Sequence, residues 1–136
     1  MALGELGRSG DFGDRADAGR GLANFAELEE AVGPLLKLLL DRENTFVTRA
    51  TAQALLRRVD GAGLRVAASA LAVADPNHAD WIHTAVLDVF ALHAGDRDAA
   101  MRLCEELVRD PDGRVALGAR ELHEGLAGID CVLHPA

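Results

Sequence analysis

The chain has 136 residues, a formal net charge of −8 from 22 acidic against 14 basic residues, and a 49% hydrophobic content of which little is aromatic. That length suits one domain with one core, and the acidic balance excludes nucleic acid and anionic membranes as partners, since both are met with cationic surface. With no Tyr and a core left to Leu, Val and Ala, close-packed helices are favoured over a sheet.

The N-terminal MALGELGRSGDF lacks a charged region followed by an apolar one, and no apolar run approaches the roughly 18 residues of a membrane span. Two cysteines, Cys104 and Cys131, without a signal peptide point to a reducing compartment, so a cytoplasmic protein is expected. One Lys against thirteen Arg, with abundant Ala, suggests a GC-rich bacterial genome.

Residues 1–22 carry Gly4, Gly7, Gly10, Gly13, Gly19 and Gly21 among charges with no apolar period, which predicts a flexible leader. No GK[ST] follows these glycines, so they do not read as a phosphate loop. The ordered domain is expected over 23–127, opening at Asn24, which with Glu27 forms a capping box for a short helix to about 32. Gly33-Pro34 stops that helix, and Pro34 starts the next as its first residue. A third helix runs from Asn44 or Thr45 to about Val59, a fourth over 61–74. Asn77 caps a fifth, apolar on nearly every side, that ends at Gly95. Asp96 or Asp98 caps a sixth and Asp112 a seventh, which Gly128 stops, leaving 128–136 as a tail.

Asp41, Asp75 and Asp110 recur at intervals of roughly 34 residues, each closing a helix before a short turn. Val47, Ile82 and Val115 follow one turn into the next helix, with Ala50, Ala85 and Ala119 a turn further on. With Leu38-Leu39-Leu40-Asp41, Asp75-Pro76 and Asp110-Pro111, these residues make the chain resemble the HEAT-like (armadillo-type) helical repeat family over about 34–127. Where that family commonly has Arg after the branched residue, this chain has Thr48, His83 and Ala116. The resemblance implies an all-α, short right-handed solenoid of about three hairpins, 34–59, 61–94 and 96–127, whose second helices line a concave face. An irregular helical bundle with similar turns is the alternative.

Candidate chemistry is sparse. His78 and His83 stand about 140° apart on a helix and cannot share a metal as an i, i+4 pair does. His93 sits in the last turn of its helix, and Cys104 lies on an apolar stripe with Leu107 and Val108. Glu105 with Glu106, and Glu121 with Glu124, read as solvated helix faces, and the basic cluster Arg49, Arg57, Arg58 and Arg65 has Asp60 inside it. No metal site and no cofactor are expected.

Binding residues are read by register. In the central helix Trp81, Thr84 and Asp88 fall within about 60° of each other as its one polar-edged strip. The matching positions are Arg49 and Gln53 in the first hairpin and Arg114 and Glu121 in the third. Trp and Arg are enriched among binding hot spots. The expected function is therefore a non-catalytic protein-interaction module, with another protein or peptide as partner and a monomeric or end-stacked dimeric state. The competing class is a small enzyme, or an enzyme accessory subunit, using His83, His93 or Cys104.

Overall fold

The computed structural model describes residues 3–134. Eight α-helices follow in order: α1 (Leu3–Gly7), α2 (Phe12–Leu22), α3 (Glu29–Leu39), α4 (Thr45–Leu56), α5 (Gly61–Val73), α6 (Pro76–Phe90), α7 (Ala94–Leu107) and α8 (Gly113–Ala127). A single 3-10 turn, Ala23–Phe25, joins α2 to α3. The fold is all-α; among the described residues the β-structure is one bridge between His93 and Leu133.

The helix ends follow from side-chain oxygens placed to accept orphan N–H groups. Asp60 accepts from Gly63, Asp75 from His78, Asp112 from Arg114 and Asn44 from Phe46. The α6 cap is thus Asp75, with Pro76 inside the first turn, and not Asn77. Gly95 does not end α6: the helix stops at Phe90, and Gly95 lies in the first turn of α7, before either predicted cap. Past the end of α4, Val59 takes φ 47, a left-handed conformation through which no helix continues.

Two expected helices prove to be one. Pro34 lies inside α3, and the buried residues Ala31, Leu35, Leu38 and Leu39 form one stripe at helical spacing on both sides of it. Burial of that stripe outweighs the hydrogen bond Pro34 cannot make, because Gly33 and Pro34 face solvent. Asn24 falls in the 3-10 turn, and the residue before α3 is Leu28.

The segment expected as a leader is structured as well. Residues 1 and 2 lie outside the described residues, but α2 is capped by Asp11, which accepts from Gly13 and Asp14. Its Ala16, Ala18 and Gly19 are buried. Gly19 crosses α4 so closely that a Cβ there would overlap the Thr51 hydroxyl. The lack of an apolar period is real, since α2 is held by small residues and close approach, not by an apolar stripe.

From α2 to α7 the helices form two layers, each helix packing on the next but one. α2 packs on α4 and α4 on α6; α3 packs on α5 and α5 on α7. The most extensive packing is α5 on α8, where Gly118 lies directly on the Ala68 backbone. One core of Leu35, Leu39, Leu55, Leu56, Leu64, Ile82, Phe90, Leu122 and Leu126 fills the space between the layers. Ala18, Leu38 and Val47 form a separate small cluster beneath α2. The central helix α6 is not buried all round: Leu87 is 52% exposed.

Of the tail, residues 135 and 136 lie outside the described residues. The segment before them docks on the α6–α7 turn: Val132 N–H donates to the Ala91 carbonyl at 3.0 Å and Leu133 N–H to Leu92 at 2.7 Å.

Candidate functional site

Packing of α4 on α6 brings together two lines of outward residues. Phe46, Arg49 and Gln53 stand at i, i+3 and i+7 on α4, while Trp81, Thr84 and Asp88 have the same spacing on α6. Arg49 donates to Asp88 through both Nε and Nη2, each at 2.8 Å, in the bidentate geometry that suits a guanidinium and a carboxylate. Gln53 Nε2 adds a third donor to Asp88 at 2.8 Å. The Arg49 guanidinium also lies over the Trp81 ring, 5.7 Å from its centroid. These donors, Arg49 first, hold the Asp88 carboxyl below the usual carboxylate range. Four side chains from two helices are thus fixed by one another at a solvent-facing position.

Of the remaining predicted residues, Thr84 stays on the same line of α6 but turns its hydroxyl to the Asp80 carbonyl at 2.9 Å. Arg114 lies elsewhere, on a cleft between α3 and α5 that is also lined by Glu27, Val32, Leu36, Arg65 and Asp112. Glu121 is half-buried on α8. Equivalent register does not bring this pair to the strip, because α8 packs chiefly on α5 and α7. The face therefore does not extend from α6 to the third hairpin.

It extends the other way. Phe12 of α2 meets Phe46 edge-to-face, with centroids 5.9 Å apart, and the Arg20 guanidinium lies 5.7 Å from the Phe46 centroid. Sequence reasoning missed Phe12 and Arg20 because it read their segment as a leader. The signal that could have found them was Asp11, a capping residue directly before Phe12.

No family model, curated protein or solved structure matches the chain. The site is thus read from its own geometry. Cys104 is buried, and burial pushes its thiol up to about 11, so no thiolate forms there near neutral pH. His83 packs towards Gly125 of α8, while His93 is exposed at the start of α7 beside Leu133. Among the described residues no group of three or more His, Cys, Asp or Glu side chains could hold a metal ion, and no helix is long and apolar enough to cross a membrane. Three members of the basic cluster are paired, Arg49 with Asp88, Arg58 with Glu27 and Asp60, and Arg65 with Asp110, while Arg57 is exposed.

Proposed function

We propose that this chain is a non-catalytic protein-interaction module, a short HEAT-like α-solenoid that binds a protein or peptide through the strip on α2, α4 and α6. The alternation of two helix layers, with α2, α4 and α6 in one and α3, α5 and α7 in the other, supports the solenoid reading. The observation that carries the function is the placement of the aromatic side chains. Of four Phe and one Trp, only Phe90 is among the fully buried ones; Phe12, Phe25 and Phe46 are 45–50% exposed, and Trp81 is half-buried. A chain with so few aromatic residues leaves most of them at least partly in water, and three lie along one strip, with arginines stacked on two of them.

Exposed aromatic and arginine side chains are the usual anchors of protein interfaces. Here Asp88 and Gln53 hold Arg49 on Trp81 in advance, which lowers the entropic cost of ordering the anchor on binding. The free, buried cysteines support a reducing, cytoplasmic location. The raised Cys104 thiol speaks against a nucleophilic role.

The test compares immobilised wild type, Trp81→Ala and Leu117→Ala in capture from native lysate, each checked for folding by circular dichroism. Leu117 is as exposed as Phe46 but lies on α8, away from the strip. Trp81→Ala is expected to lose partners that Leu117→Ala keeps. Identical sets of captured proteins from both variants would refute the reading.

A further inference from the structure

Away from the strip, the buried charges gather where α2, the 40–44 turn and the start of α6 meet. Arg15 of α2 is 7% exposed; its Nε donates to Asp41 at 2.7 Å, and its Nη1 donates to the Ser9 carbonyl at 2.9 Å. The Asp41 carboxylate also accepts the N–H groups of Glu43 and Asn44, at 3.0 and 2.9 Å, and so shapes the turn. On the other side of the same residue, the Asp41 carbonyl lies 2.7 Å from His78 Nε2. His78 Nδ1 faces both oxygens of Asp75 at 2.9 Å.

Both ring nitrogens of His78 therefore meet acceptors only. A neutral imidazole has one N–H and a protonated one has two, so this geometry favours the imidazolium. The Asp41 carbonyl, followed by Asp75, raises the proton affinity of His78 above the usual value, against the opposing effect of burial. The charged groups around the ring are Asp75 from α6 itself and Asp41, Arg42 and Glu43 from the turn, with Arg15 of α2 behind the Asp41 carboxylate.

Although α2 packs closely on α4, few large apolar side chains hold it there. Its buried residues are Arg15, two alanines and a glycine, and its hydrophobic cluster is the small one of Ala18, Leu38 and Val47. Beneath Gly19, the Thr51 hydroxyl is buried with no hydrogen-bond partner among the described residues.

We propose that His78 is a proton-dependent clasp on the N-terminal hairpin. When His78 is charged, it fixes the 40–44 turn, and the turn presents Asp41 to Arg15, which anchors α2 on α4. When His78 loses one proton, the Asp75 carboxylate keeps the remaining one on Nδ1, so Nε2 faces the Asp41 carbonyl with no hydrogen between them; the turn loosens, and α1 and α2 open while α3 to α8 stay folded. The opening removes Phe12 and Arg20 from Phe46, but the clasp itself does not rest on the strip binding any partner.

Hydrogen exchange of the full chain, followed by mass spectrometry at pH values from about 6 to 9 and corrected for intrinsic exchange, tests this. Charge-assisted hydrogen bonds are lost on deprotonation, so the protection of residues 12–22 should fall roughly tenfold or more across that range, while that of 63–73 holds. His78→Gln should give weak α2 protection that no longer depends on pH. Arg15→Met should release α2 at every pH. A flat profile in the wild type, an equal loss across 63–73, or a pH dependence that survives in His78→Gln would each overturn the clasp. Should either variant fail to fold, the wild type decides: the α2 opening must share the midpoint of the His78 ring titration followed by NMR, and a different midpoint overturns the proposal.

Discussion

At the scale of single residues, one glycine, Gly118, and one arginine, Arg15, are tightly constrained. A Cβ at Gly118 would overlap the backbone carbonyl of Ala68, which cannot move aside as a flexible side chain could. Gly118→Ala should therefore force α8 off α5 and cost about 3 kcal/mol, measurable by urea unfolding. Gly95 is the internal control. It is helical, exposed and has open space around it, so Gly95→Ala should be neutral or stabilise by about 0.5 kcal/mol. Arg15→Met should cost about 3 kcal/mol wherever α2 docking is part of the unfolding transition, because it leaves the Asp41 carboxylate, 9% exposed, without its counter-ion. If Gly118→Ala and Gly95→Ala unfolded at the same urea concentration, the close α5–α8 crossing would be wrong.

Among whole elements, legibility followed the source of each helix's stability. α4, α5 and α8 carry their own apolar stripes, and the sequence showed them with bounds close to those observed. α2 has no such stripe; it packs on α4 and is tied to the 40–44 turn through Arg15, and its one local signal is the cap, Asp11. The opposite error occurred at Pro34, where a strong local stop signal was overridden by a stripe buried on both sides of it. The site divided the same way. Arg49, Gln53, Trp81 and Asp88 lie together because register on α4 and α6 is local, and Arg114 and Glu121 lie apart from them because the crossing of α8 over α5 is not. A consequence belongs to the α2–α4 pair. Gly19→Val should displace α2 from Thr51 and expose residues 12–22 to limited proteolysis, with the far-UV spectrum of the remaining helices kept. A protease-resistant Gly19→Val chain would refute that close contact.

For the whole molecule, the ionisable groups set opposing limits on the pH of greatest stability. Asp75 and Asp110 are held below their ordinary value of 3.8, by the N–H groups of His78 and Asp112 before any side-chain partner, and Asp88 chiefly by Arg49. Carboxylates of this kind stabilise the fold above their unfolded values and lose that contribution as pH falls through the lower folded ones. His78 acts with the opposite sign. Its folded value lies above 6.5, so its contribution is complete below 6.5 and is lost as pH rises through the folded value. Rising pH also brings the net charge towards the −8 of the chain with neutral histidines, and that self-repulsion opposes the compact state. The thermal midpoint should therefore peak between about pH 5 and 6.5 and decline on both sides, as the two kinds of linkage require. Differential scanning calorimetry of wild type and His78→Gln in buffers of constant ionic strength separates the causes. The variant should keep the acid limb and flatten the alkaline one, leaving only the part that added salt removes. A wild-type midpoint that rises steadily to pH 8 would mean that His78 is neutral in the folded chain, and with it the two-acceptor geometry around its ring would fail.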